Sequence, residues 1–276
     1  MAITAADVNK LRQQTGAGMM DCKNALVEAN GDFETAIDIL RKKGQKIAAK
    51  RGDNDAREGL IIAQASNDGK SGVILTLNCE TDFVAKNDGY RSLVQSLVDI
   101  ALNNMPASID ELKGLKYDDR LSVDEKITEQ IGVIGEKLDL SNYSTIKADK
   151  VVAYNHPGNQ LATLVGLNSG SDVAEDAGKQ VAMQVAAMNP IALNKDGVDA
   201  RTIEREIEVG KELAIQEGKP ADMAEKIAMG RLNKFFQENT LLSQAFVRDN
   251  KLTVADFLSS SEKDLTVTDF RRFSLS

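Results

Sequence analysis

The chain reads as an α+β protein: an N-terminal unit of three helices, two related α+β subdomains with antiparallel strands, and a projecting antiparallel helical hairpin. Three observations predict this. Hydrophobic spacing changes from helical to alternating at Gly59. The order strand hairpin, polar turn, helix occurs twice, from Leu60 and again from Val151, although few letters match between the copies. A long charged stretch with a narrow apolar seam is folded in two at Glu217-Gly218-Lys219-Pro220, with glycine past one helix end and proline at the next start. The expected divisions are 1–54 for the helical unit and a basic linker, 55–142 for the first α+β subdomain, and 143–276 for the second, with the hairpin at about 199–237.

In the helical unit, Thr4 and Asp7 have the spacing of a capping box, and Val8 and Leu11 supply an apolar face before Thr15-Gly16-Ala17-Gly18. Cys22, Ala25, Leu26 and Ala29 form the stripe of a second helix, ended by Asn30-Gly31. Asp32 caps a third, with Phe33, Ala36, Ile37 and Leu40 on its face and Gly44 as its expected stop. Met20 falls off the core stripe, beside Lys23, Asn24 and Val27, and is expected to face solvent or a partner; Met19 has core spacing. The basic run from Arg41 to Arg51 reads as a solvated helix face.

The first α+β subdomain begins with a hairpin of Leu60–Ala65 and Val73–Leu77 around Asn67-Asp68-Gly69. The polar turn Asn78-Cys79-Glu80-Thr81-Asp82-Phe83-Val84-Ala85-Lys86-Asn87 follows, and then a helix with Tyr90, Leu93, Val94, Leu97 and Ala101 on one face. Two more helices are expected, one begun by Ser108, the other capped by Ser122 with Glu125 and carrying Ile127, Ile131, Ile134 and Leu138. Tyr143 to Ala148 reads as a strand.

The second copy has strands at Val151–Asn155 and Leu161–Leu167, then Ser171-Asp172-Val173-Ala174 in the place of the polar turn, then a helix carrying Val181, Met183, Val185, Ala186 and Met188. In the helical hairpin the expected seam is Ile203, Ile207, Leu213 and Ala214 against Met223, Ile227, Met229, Leu232 and Phe235. A helical turn at Val254, Phe257 and Leu258, a serine linker at 259–261 and a strand through Val267, Phe270 and Phe273 complete the pattern.

Phe83 is the residue that local pattern does not absorb. Only 4% of the chain is aromatic, and an aromatic at a polar strand-to-helix turn either staples the next helix or reaches a partner. A staple required by the turn would recur in the second copy, which has Val173 instead, so the partner role is favoured.

The composition excludes several activities. A net charge of −8 gives no general attraction to nucleic acid or anionic lipid, so a partner is recognised by shape and specific contacts. No apolar run approaches the roughly 20 residues that span a bilayer, and Met1-Ala2-Ile3-Thr4 lacks the basic start of a leader, which leads to the expectation of a cytoplasmic protein without membrane contact. Cys22 and Cys79 are expected as reduced, buried thiols. A single histidine, His156, leaves a zinc site or a Ser-His-Asp triad almost nothing to be built from, so no metal, cofactor or catalytic residue is expected. There is no phosphate-binding Gly-Lys-Ser/Thr loop, and Gly16-Ala17-Gly18 lacks the preceding strand of a dinucleotide fingerprint; direct nucleotide binding is not expected.

Two long stretches carry a resemblance. Leu11-Arg12-Gln13-Gln14-Thr15-Gly16-Ala17-Gly18-Met19-Met20-Asp21-Cys22-Lys23-Asn24-Ala25-Leu26 resembles the N-terminal signature of the bacterial translation elongation factor Ts family, and Leu77 to Asn87 resembles its second signature. The likeness continues through Gly218-Lys219-Pro220, Gln244-Ala245-Phe246-Val247 and the final strand. It implies a ubiquitin-associated-type (UBA-like) helical domain, a core of two related α+β subdomains, a coiled-coil hairpin, and guanine nucleotide exchange on elongation factor Tu without covalent chemistry. By the same resemblance, Thr81, Asp82, Phe83 and Val84 form the element that intrudes near the Mg²⁺ and nucleotide of the GTPase, with Asp82 and Phe83 at its tip. Leu11, Met19 and Met20 dock on the GTPase domain, and His156 faces a further domain of that partner. Thr76 departs from the family's frequent Glu and is expected to alter strand-edge contacts; the chain also stops soon after Leu275, without a further C-terminal helix, which implies a smaller interface. The competing reading is a ribosome-binding or ubiquitin-like-binding scaffold that borrows the three-helix unit.

Overall fold

The computed structural model describes residues 3–275, with Ala221 and Asp222 described by their backbone alone. Helices α1 (Ala5–Thr15), α2 (Met19–Glu28) and α3 (Phe33–Arg51) form the N-terminal unit. Thr4 makes the capping box with Asp7, Gly16 closes α1 in the left-handed region, and Asp32 caps α3. The unit's core is Val8, Leu11, Cys22, Ala25, Leu26, Ala36 and Ile37.

Gly44 does not stop α3. The helix runs through it to Arg51 because Gly44 is where α3 crosses α7 (Val123–Ile134): a Cβ on Gly44 would lie 3.2 Å from the Thr128 carbonyl oxygen. Glycine is used there for close approach, which a helical-period reading mistakes for a break.

The first α+β subdomain is built on β1 (Glu58–Ala65), β2 (Ser71–Cys79) and β3 (Leu138–Lys147), antiparallel in the order β1-β2-β3. Between β2 and β3 run a single helical turn α4 (Asp82–Ala85), then α5 (Asp88–Asn104), α6 (Ile109–Gly114) and α7. The second repeats the plan with β4 (Lys150–Asn155), β5 (Leu161–Leu167), helix α8 (Asp172–Met188) and β6 (Val267–Ser274), in the order β4-β5-β6. In both, a hairpin leads into a helix and the last strand returns beside the second strand of the hairpin.

Strand alternation sorts the side chains into layers. Val73, Leu75 and Leu77 of β2 meet α5 and α7; Val165 and Leu167 of β5 meet α8 and α11 (Val254–Ser261). Ile61, Ile74, Ile146, Val151, Ala162 and Leu164 fill the space between the two sheets. The edge of β1 is covered by the second subdomain, whose Asn159 carbonyl accepts from Ile61 N at 2.7 Å while the Asn155 side chain exchanges two hydrogen bonds with Ala63.

Several expectations are corrected. Gly135, at φ 82°, ends α7 at Ile134, so Leu138 opens β3 instead of extending the helix. That strand pairs with β2 from Leu138 to Lys147, and a boundary at 142/143 would divide it; the chain changes sheet at 148–149. Thr76 lies on the central strand β2 and not at an edge, buried, with no hydrogen-bond partner for its hydroxyl. Ser259, Ser260 and Ser261 are the last turn of α11, their hydroxyls at 260 and 261 donating to the Phe257 carbonyl. Met183 and Met188 of α8 are exposed.

The helical hairpin consists of α9 (Ala200–Gln216) and α10 (Ala221–Asn239), joined by a tight turn with Gly218 at φ 76°. Its seam is made of small residues: Gly210 faces Ala228 closely enough that a Cβ on the glycine would sit 3.2 Å from the alanine's. Ala214, Ala224 and Leu232 are buried with them, while Leu213, Met223 and Met229 are exposed. Ile203, Ile207, Ile227 and Phe235 are half-buried, so of the seam expected from periodicity only Leu213, Met223 and Met229 fall outside it, where small side chains let the two backbones approach.

Candidate functional site

The stretch after β2 is fixed almost atom by atom. Thr81 caps α4, its Oγ1 accepting from Val84 N at 3.4 Å. It also donates from its backbone N (3.0 Å) and its Oγ1 (2.7 Å) to the two carboxylate oxygens of Glu136, while its carbonyl accepts from the Cys79 thiol at 3.2 Å. Burial pushes that thiol up to about 11, so it stays protonated and able to donate at neutral pH. One residue earlier, Glu80 receives Arg51 Nη1 on both oxygens at 2.9 Å, the Asn54 amide at 3.0 Å and the Lys137 backbone N–H at 2.6 Å. Desolvation acts to raise the Glu80 carboxyl, but these donors outweigh it and hold it below its ordinary value.

Beyond Thr81 the chain makes one turn and stops. Asn87 breaks it and caps α5, accepting from Gly89 N at 2.8 Å, and Tyr90 anchors that helix by donating to the Leu77 carbonyl at 2.6 Å. Val84 and Ala85 face the core, which turns the intervening side chains outward. Asp82 pairs with Lys86 at 2.7 Å, and that hydrogen bond is the main cause of its lowered carboxyl pKa.

Phe83 is 83% exposed at the tip of this turn. A phenylalanine left in water forgoes about 1.5–3 kcal/mol of burial, so its presence there does not serve the fold. In the second copy Ser171 caps α8 in the same way, accepting from Ala174 N at 3.0 Å and donating to Glu262, and α8 continues unbroken past Val173. The two turns thus share a capped start and a glutamate clamp; only the first is cut off into a separate, aromatic-tipped projection.

The helical unit offers a second surface. Met19 and Met20 are exposed, Met20 at 63%, and Val27 joins them on the stripe with Lys23 and Asn24. Met19 therefore lies on the surface and not in the core. Leu11 is fully buried, at 0%, in the unit's core, so it supports α2 and presents no surface of its own.

A third surface lies around His156, whose Nδ1 is 2.9 Å from the Tyr154 hydroxyl. It borders a groove of about 590 Å³ lined also by Leu161, Gln180, Met183, Val247 and Arg248. His156 was legible as an exposed turn residue; Met183 and Val247, far apart in sequence, were not. Glu136 was also missed, since nothing near it in sequence marks it as the clamp on Thr81.

No group of three or more histidine, cysteine, aspartate or glutamate side chains suited to a metal occurs among the described residues, nor does a helix long and apolar enough to cross a membrane. The fold and site together present one anchored, aromatic-tipped turn and two further surfaces with exposed apolar side chains, features of the class of proteins that act by binding.

Comparison with known proteins makes the class particular. Residues 80–276 match the family model described as elongation factor TS. The chain is 53% identical over 273 residues to elongation factor Ts of Christiangramia forsetii, covering 99% of this chain and 98% of that one. It is 55% identical over 274 residues to elongation factor Ts of Amoebophilus asiaticus, with the same coverage, and 45% identical over 275 residues to that of Porphyromonas gingivalis, covering 100% and 99%. The chain belongs to the elongation factor Ts family.

Proposed function

We propose that this chain is the guanine nucleotide exchange factor of elongation factor Tu in translation elongation, and that it acts by inserting the Asp82-Phe83 turn beside the Mg²⁺ and nucleotide of that GTPase. Family membership supports the activity. The observation that carries the mechanism is Phe83, held in water on a turn whose other polar groups are tied down. A wedge that is already ordered loses little conformational freedom on binding, so more of its contact energy is available to disturb the partner.

Exchange requires no covalent step. The factor binds the nucleotide-free GTPase more tightly than the nucleotide-bound one, and by reciprocity nucleotide affinity falls while the factor is bound. A coupling of about 4 kcal/mol, expressed in the off-rate, speeds release roughly a thousandfold. On this reading the three-helix unit is of the ubiquitin-associated type and docks on the GTPase domain through Met19 and Met20, with Leu11 beneath them; the groove at His156 receives another domain of the partner; α9 and α10 form a coiled coil; and the protein works in the cytoplasm. The test is release of fluorescent GDP from elongation factor Tu with the protein added. Acceleration well beyond spontaneous release is expected, and its absence would overturn the exchange assignment.

A further inference from the structure

We infer that the C-terminal end of α7 is a spacer, which holds the helical unit and the Phe83 turn at one fixed separation so that they engage the partner as a single two-point ligand. The inference rests on the exchange reading above. It starts from two contacts made four residues apart in sequence. At Gly132, α7 crosses α3 so closely that a Cβ on Gly132 would lie 2.6 Å from the Gly44 Cα, and the next residue, Val133, packs into the core of the helical unit. Gly135 then ends α7 in the left-handed conformation, and the chain turns to place Glu136 on both donors of Thr81.

The second side of the frame is α3 itself. It leaves the helical unit, lays Ile47 and Ala48 on the core of the first α+β subdomain, and ends with Arg51 on Glu80, the residue before Thr81. Arg41 pairs with Glu125 of α7 at 3.0 Å across the same crossing. The three-helix unit is therefore not carried on a free tether: two helices, joined at a glycine-to-glycine contact, run from it to the base of the turn. When two surfaces are held at the span of their targets, the second contact forms at high effective concentration, and that advantage is lost when the connection loosens.

A purely structural role would lower stability and depress both kinetic constants together, whereas a spacer predicts that they separate. The test uses the full chain with paired spin labels at Glu28→Cys and Asp88→Cys, both exposed, while the native Cys22 and Cys79 are buried. Pulsed dipolar spectroscopy on the free protein is expected to give one narrow distance distribution. Gly132→Ala forces the crossing apart, and Val133→Ser removes the contact without a clash, so that a folding failure of the first leaves the second to decide. Each should broaden or shift the distribution. Each should also raise the factor concentration for half-maximal GDP release about tenfold, with a maximal rate changed by less than about twofold. Glu136→Ala is expected to do the reverse, leaving the distance unchanged and lowering the maximal rate, with partial rescue by Glu136→Gln. An unaltered distribution and an unaltered half-maximal concentration in folded Val133→Ser would overturn the spacer. If the unsubstituted protein does not speed release at all, the exchange reading fails while the distances still report whether the spacer exists.

Discussion

Phe83 and the groups beneath it divide the labour at the tip of the turn. The ring touches water, and Thr81, Glu136 and Cys79 hold the backbone that carries it. Because the side chain is so exposed, Phe83→Ala is expected to leave the melting temperature within about 2 °C of the unsubstituted protein, as surface changes usually stay within about 0.5 kcal/mol. The two thiols give a separate check on the same region. Burial is the leading cause of the upward shift at both Cys22 and Cys79. Neither should react with a disulfide reagent at pH 8 in the native protein, and both should react once it is unfolded. Residues such as Phe83 and Met20 were legible in the sequence because each departs from a local period. The burial of Leu11 follows from the same helical period, which makes it a support beneath α2 in place of the docking side chain the resemblance implies, whereas Glu136 was not legible, since it acts on a residue 55 positions away.

At the scale of elements, glycine decides where helices and strands approach. Gly59 lies at φ 145°, and a Cβ there would be 2.2 Å from the Leu77 carbonyl oxygen of the neighbouring strand. Gly59→Ala is therefore expected to destabilise the protein by about 3 kcal/mol, measured by chemical denaturation, since both conformation and space oppose it. The α3-to-turn connection should be sensitive to acid. The Glu80 carboxyl is held below the 4.5 of a free glutamate, so its pairing with Arg51 contributes fully above that value and is lost as pH falls through the lower folded value. Hydrogen exchange of the Lys137 amide, which donates to Glu80, is expected to accelerate, relative to the intrinsic rate, between about pH 5 and pH 3 in the native protein and to change little over that range in Glu80→Gln. Caps, strand hairpins and the repeated plan could be read from sequence because their signals are local. Gly44 was misjudged, and Gly210, Ala224 and Ala228 were left out of the α9–α10 seam, because small residues at a helix crossing look like breaks or weak stripes until the partner helix is known.

In the whole molecule the two α+β subdomains share one apolar layer between their sheets, and the helical unit is fastened to the first of them. Leu164→Ala, in that layer, is expected to cost about 2–5 kcal/mol and to reduce hydrogen-exchange protection of α5 and α8 together, whereas independent subdomains would lose it only around α8. Such a body carries the Phe83 turn, the Met19–Met20 face and the His156 groove on one connected frame, with Phe83 the most exposed of their apolar side chains. The measurement closest to the central claim is the rate of fluorescent GDP release from elongation factor Tu at saturating factor, compared between the unsubstituted protein and Phe83→Ala. A rate at least about tenfold lower is expected for the variant, equivalent to about 1.4 kcal/mol of lost coupling. Equal rates from two equally folded proteins would contradict it.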